Sequence, residues 1–363
     1  MNAFTTITVS AAQTPEPDRN APRPAHHAND TNTLFVNPWP SYRAETSTFS
    51  AVVKSLYGNL FHPPPVPEDL ASKLGVRKPD FGYTAATSSE PPSNVKANKS
   101  SMKATWLGHA CFLLELPSPD GAARGARILF DPMFSHRYSP FSFIGPARRI
   151  PPPCRLEDLP SVDIVVISHN HYDHLDSHSI TTLDKLFRPH FFAPLNNGAF
   201  FKSNKVPEER THILDWWEAR NVTVDIPVAT GTSSDEAPTS TIKTTFEVTC
   251  TPAQHSTGRG LMDRFHTLWA SWAICDPASG NKAWFGGDTG YRTVRPSENE
   301  DDLPVCPEFK KIGEKFGGFD LAFIPIGAYG TREITSCVHC APQDSVRVFK
   351  DVQAKRAIGM HWG

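Results

Sequence analysis

"ISHNHYDHLDSHS", residues 167–179, gathers four histidines and two aspartates in thirteen positions. It grows out of "VDIVVIS", a β-branched apolar run that reads as a buried strand ending near Ser168. His169 and His171 alternate past that strand end, so both rings can face one point. Asp173 and His174 follow in the turn. "LDSHSITTLDKLF" then has helical spacing through Ile180, Leu183 and Leu186, with Asp176 as its N-cap. The cap places His174 outside the helix, so its four-residue spacing to His178 is not a helical ligand pair. His178 falls on the first turn, toward solvent. Three nitrogens and one carboxylate suit zinc. One ion takes four ligands at most, so the cluster points to two ions and leaves their sets incomplete.

Working outward, short strands are expected in "KATWLGHACFLLEL" (two, broken at Gly108), "ARILFDP", "HFFAP", "VTVDIP", "TFEVTCTP", "LWASWAI", "KAWFGG", "FDLAFIPI" and "RAIGMHW". Helices are expected near 306–316 and 342–353. "ATGTSSDEAPTST" (229–241) reads as a polar hairpin loop. Many strands with few interleaved helices predict two packed sheets with helices outside. Residues 1–33 read as a disordered tail, since "QTPEPDRNAPRPAHHANDTN" is proline-rich and polar. Residues 34–100 read as an ordered N-terminal extension with a linker at "EPPSNVKANKSS", and 101–363 as the main domain.

A net charge of -2 lacks the basic excess of a nucleic-acid binder. No run of about 18 apolar residues is present. The first twenty residues have neither a basic nor a strongly apolar region, so an intracellular protein, cytoplasmic or peripherally membrane-associated, is expected. In that setting seven scattered cysteines are expected to be free thiols, and "CVHC" (337–340) has no second pair with which to hold a metal.

The remaining ligands should also follow strands. His255 lies a few residues beyond "TFEVTCTP", Asp288 follows "KAWFGG", and His361 closes "RAIGMHW". Each alone is weak; with the opening cluster they complete a binuclear site. His109, beside Gly108, reads either as a group orienting the ligands or as a core histidine.

H-x-H-x-D-H after a strand, followed by His255, Asp288 and His361, resembles the metallo-β-lactamase superfamily. Within it, "FVNPWPSYR", "WLGHACFLLEL", "LFDPMFSHRYSPFSFIGPARR", "LPSVDIVVISHNHYDHLD", "LWASWAICDP", "WFGGDTGY", "IPIGAYG" and "DVQAKRAIGMHWG" resemble the N-acyl-phosphatidylethanolamine-hydrolysing phospholipase D family. The resemblance implies an α/β fold, an αββα sandwich holding two zinc ions. It implies His169, His171 and His255 on one ion, Asp173, His174 and His361 on the other, and Asp288 bridging. Val338 stands where the family has a glutamine, and His361 lies two residues from Gly363, where fraying is expected.

The implied activity is a phospholipase D-type phosphodiesterase, releasing N-acylethanolamine and phosphatidic acid from N-acyl-phosphatidylethanolamine or a related phospholipid. Asp173 and Asp288 would serve the centre, and His339 would give a proton to the leaving alkoxide. "FSHRYSPFSFIGP" (Phe134, Tyr138, Phe141, Phe143) reads as an acyl groove, a bilayer contact or a packed loop, with Arg148 and Arg149 beside it for lipid phosphate. A homodimer stays open. The alternatives are a lactone or ester hydrolase on the same fold and a lipid-binding pseudoenzyme.

Overall fold

Each strand next to the opening stretch is apolar on both faces, and the computed structural model shows why. It describes residues 4–12, 22–43, 69–81, 101–141, 143–229, 240–260 and 262–362. Six strands form one sheet: β2 (Lys103–Trp106), β3 (Phe112–Glu115), β4 (Arg127–Phe130), β5 (Ile164–Val166), β6 (His190–Pro194) and β7 (Thr211–Leu214), in sequence order. Seven form the other: β1 (Ile7–Ala11), β8 (Ala219–Pro227), β9 (Thr241–Thr251), β10 (Ser271–Cys275), β11 (Lys282–Phe285), β12 (Leu321–Pro325) and β13 (Ala357–Met360). Strands β4 to β7 run parallel, as do β11 to β13; the remaining neighbours are antiparallel.

Strand period two sorts the side chains into layers. Phe112, Ile128, Phe130, Ile164 and Val166 point into the central core between the sheets, where they meet Phe246, Trp272, Phe285 and Phe323. Phe130 stacks on Phe285 with ring centroids 4.5 Å apart. Leu113, Leu129 and Val165 point the other way, onto Ile180 and Leu183 of the helix Ser177–Phe187. On the far face Ala273, Trp284, Ala322 and Ile324 meet Phe309 and Ile312 of the helix Glu308–Phe316 and Val348 of Pro342–Asp351. Burying each large apolar side chain contributes roughly 1.5–3 kcal/mol. The result is the expected αββα sandwich.

The helix cap is as read: Asp176 accepts from the backbone N–H of His178 and Ser179, and also from the hydroxyls of Ser135 and Ser179. Pro227 pairs with Thr241, so 229–241 does join a hairpin, although residues 230–239 lie outside the described residues. So do "FSAVVKSLYGNLF" and nearly all of "EPPSNVKANKSS".

The N-terminal reading needs correction. Ile7–Ala11, expected in a disordered tail, is the edge strand of the larger sheet and pairs antiparallel with β8. Ile7 and Val9 alternate with Thr8 and Ser10 and pack against the central core, enough to hold an edge strand. His26 and His27, also in that supposed tail, are buried and each hydrogen-bonds one oxygen of Asp215 at 2.7 Å. Phe35 is fully buried in the central core. These segments belong to the sandwich rather than to a separate extension. Short elements beyond those expected include the strand Thr211–Leu214 and the helices Leu70–Lys73, Gly198–Ser203 and Arg332–Thr335.

Candidate metal centre

One rim of the sandwich collects the chemistry. His169 to His174 follow β5, His255 follows β9, Asp288 follows β11 and His361 follows β13. Two donor groups lie side by side, each with one donor atom per residue and all atoms within 4.8 Å of one another: His169, His171 and His255; and His109, Asp173, His174 and His361. Asp288 Oδ2 stands between them, 3.1 Å from His361 Nε2, 3.3 Å from His174 Nε2 and 3.9 Å from His255 Nε2. All seven residues expected as ligands are therefore brought together. His178 is exposed on the first helical turn, outside the rim.

Close backbone approach makes this geometry possible. Gly287 has φ +58°, and a Cβ there would meet the Ser168 Cβ at 2.7 Å. A Cβ on Gly327 would fall 1.7 Å from the His361 carbonyl oxygen. His361 is held by β13, by its N–H to the His109 carbonyl (3.2 Å) and by the stack of Trp362 on Trp106, 4.9 Å between centroids. These contacts place His361 in the rim.

Neighbouring groups set the tautomers. Asp131, just past β4, accepts from the Ser168 hydroxyl at 2.5 Å and from His174 Nδ1–H at 2.6 Å. With its proton committed to Asp131, Ser168 Oγ is left to accept from His169 Nδ1–H at 2.8 Å. His255 Nδ1–H donates to the Val338 carbonyl at 2.9 Å. His169 and His255 therefore turn a bare Nε2 lone pair into the rim, and His174 can do so once its Nε2 proton is lost, a tautomer control common at metal sites. Asp131 and Ser168 were missed in the sequence; the only trace is an aspartate ending "LFDP" on the strand beside β5.

That arrangement is poorly satisfied by protein alone. His169 Nε2 lies 2.8 Å from His171 Nδ1, which is also 3.3 Å from His255 Nε2, and at most one proton can sit among them. His174 Nε2, Asp288 Oδ1, His339 Nδ1 and His361 Nδ1 are buried without a hydrogen-bond partner. Converging lone pairs and orphaned acceptors fit a cation. Burial and adjacent imidazoles hold the pKa of His169 well below the ordinary imidazole range, and burial does the same to His255. Burial opposes charge on His174, but Asp288, Asp173 and Asp131 outweigh it and raise its pKa well above that range. The imidazoles of His174 and His361 hold Asp288 as a carboxylate despite its burial.

His109 lies beside the expected ligands, with its Nε2 2.9 Å from Asp173 Oδ2. His339 reaches the rim too, with Nδ1 3.7 Å from Asp288 Oδ2, and burial pushes its pKa down to about 4. Arg148 is not available to a lipid phosphate, because it is buried and donates to the carbonyls of Met133 and Ile150. The described cysteines are free.

Fold and rim together define a metallohydrolase. The model of the beta-lactamase superfamily domain matches residues 126–362. The chain is 38% identical over 282 residues to N-acyl-phosphatidylethanolamine-hydrolyzing phospholipase D 1 of Caenorhabditis elegans, covering 75% of this chain and 68% of that protein. It is 37% identical to an uncharacterized protein of Mycobacterium tuberculosis, over 75% of this chain and 61% of that one. The mitochondrial N-acyl-phosphatidylethanolamine-hydrolyzing phospholipase D of Saccharomyces cerevisiae is 30% identical, over 75% of this chain and 50% of that one. The chain belongs to the metallo-β-lactamase superfamily and, within it, to the N-acyl-phosphatidylethanolamine-hydrolysing phospholipase D family. It is a hydrolase with a metal cofactor. Among the described residues no helix is long and apolar enough to cross a membrane.

Proposed function

We propose that the protein is a zinc-dependent phosphodiesterase that cleaves N-acyl-phosphatidylethanolamine, or a related phospholipid, into N-acylethanolamine and phosphatidic acid. The observation that carries this reading is the position of Asp288 between two separate donor groups, which suits a pair of ions and a phosphodiester. The substrate class comes from the names of the worm and yeast relatives.

His169, His171 and His255 would hold one ion, Asp173, His174 and His361 the second, with Asp288 shared. When bound, a pair of divalent ions neutralises phosphodiester oxygens and makes water a stronger nucleophile near neutral pH. Asp131, Ser168 and the Val338 carbonyl fix three of the imidazoles, so the rim keeps its shape as charge builds on phosphorus. Water adds to phosphorus, the bond to the ethanolamine oxygen breaks, and that oxygen needs a proton. His339, with an unpartnered Nδ1 on the rim, is our candidate to deliver it; with its pKa held low by burial, it would relay a proton from water rather than hold one in advance.

We also place the protein at a membrane surface inside the cell. Phe141, Phe143 and Ile144 are 54%, 77% and 58% exposed on one loop. Tyr138 of the same loop stacks on His109, with ring centroids 5.3 Å apart. An apolar loop beside the rim suits a substrate that must be drawn from a bilayer.

The test is release of N-acylethanolamine and phosphatidic acid from mixed micelles by the zinc-loaded protein. Turnover there supports the phosphodiesterase. Zinc-loaded protein that opens lactones and spares the phospholipid would replace it with the ester hydrolase, and vesicle binding without turnover of either would leave a pseudoenzyme.

A further inference from the structure

His255 stands past the last pairing of β9, whose ladder to β10 ends at Thr251. Its backbone N–H and C=O therefore have no sheet partner, and both need one. Among the described residues a single side chain serves both. Asn37 Nδ2 donates to the His255 carbonyl at 2.7 Å, and Asn37 Oδ1 accepts from the His255 N–H at 3.1 Å. The primary amide imitates a strand neighbour, offering one donor and one acceptor side by side. Among side chains of this size only asparagine does so; aspartate lacks the donor and leucine lacks both.

Asn37 is itself fixed on either side. Phe35 is fully buried in the central core, and its N–H donates to the Phe265 carbonyl at 2.9 Å. Beyond Asn37, Ser41 Oγ donates to Gln254 Oε1 at 2.5 Å, and the Ser41 carbonyl accepts from the Thr293 hydroxyl at 2.8 Å. Gln254 precedes His255 and is fully buried; its Nε2 donates to the Cys337 carbonyl at 3.0 Å, in the turn that carries His339. A segment more than 200 residues away in sequence thus braces the loop that presents His255.

We propose that Asn37 is a positioning residue for the metal centre: it sets the depth and direction of His255, and through it the affinity of the three-histidine group for its ion. This rests on the reading of His255 as a ligand. The effect of Asn37 passes through the His255 backbone that it clamps.

The experiment titrates zinc into metal-free full-length protein against a competing chelator, for wild type, Asn37→Ala, Asn37→Asp and His255→Ala, with the melting temperature of each metal-free form recorded. Partners that orient ligands typically change metal affinity by about 10–100-fold. A loss of that size is expected at one of two sites in both Asn37 variants, with hydrolysis returning to its wild-type plateau at saturating zinc. Asn37→Asp keeps size and acceptor, so it stays informative if the alanine variant folds poorly. Asn29→Ala, on the same segment, should leave the titration unchanged. A lowered melting temperature with an unshifted zinc titration would reduce Asn37 to a structural residue and overturn the proposal. If His255→Ala also binds zinc as wild type does, the ligand reading itself fails, and that result is distinct from failure at Asn37 alone.

Discussion

The two donor groups on the rim are built differently. The three-histidine group draws His169 and His171 from the smaller sheet and His255 from the larger, and its supports are neutral: a serine hydroxyl, a backbone carbonyl and an asparagine amide. The second group contains Asp173, and its support is anionic, since His174 leans on Asp131. Burial therefore leaves the first group as uncharged imidazoles, while carboxylates draw positive charge onto His174 and push His361 up to about 9. A nitrogen-only cage binds by lone pairs; a mixed cage must first shed protons, so its affinity depends more steeply on pH.

Asp288 touches both groups, so its removal should erase the contrast. Asp288→Ala is expected to lose both ions and to lower hydrolysis by well over about 100-fold, more than a lost orienting partner costs. Metal analysis beside the micelle assay checks this; retention of one tightly held ion would show that Asp288 serves a single group. The next largest effects should separate the groups. His255→Ala should empty the histidine group and His361→Ala the mixed one, each leaving about one ion per chain. Identical losses from both variants would make the rim a single cooperative site.

Asp131→Asn tests the support alone. The amide fills the same space but no longer holds the Ser168–His169 and His174 protons as an anion does. A fall in zinc affinity of about 10–100-fold is expected, larger at the mixed group.

The smallest effect on the rim should come from Asp215, whose carboxylate hydrogen-bonds His26 and His27 rather than a proposed ligand. Burial would raise its pKa, but hydrogen bonds and charge from the two histidines outweigh burial and lower it. A carboxyl depressed in the folded state contributes stability that is full above its unfolded value, about 3.9, and is lost as pH falls through the folded one. Asp215→Asn should therefore flatten the acid limb of the unfolding curve and leave zinc binding unchanged. An unaltered acid limb would show that this carboxyl carries no folding-linked proton.

The opening stretch was legible because its determinants are local: a strand, an alternation and a cap lie within a dozen residues. His255, Asp288 and His361 were legible because each follows its own strand. What the sequence hid was lateral. Asp131 reaches His174 because β4 and β5 lie parallel and adjacent, and no spacing reports which strands become neighbours. Asn37 and the edge strand Ile7–Ala11 were hidden for the same reason, with partners far along the chain and a polar, proline-rich setting that mimics disorder. Arg148 was misassigned because an arginine beside aromatics reads as surface until its carbonyl partners are seen.

The order of strands has a kinetic consequence. The proposed ligands run from residue 169 to residue 361, and the last follows β13, which among the described strands pairs with β12 alone. Parallel pairings of such distant segments close slowly, because loop entropy is lost before contacts repay it. During synthesis the histidine group can be completed once the turn at Val338 has closed on His255, whereas the mixed group must wait for β13 as well. On the proposed two-ion reading, the histidine group would therefore be ready for its ion before the mixed group is.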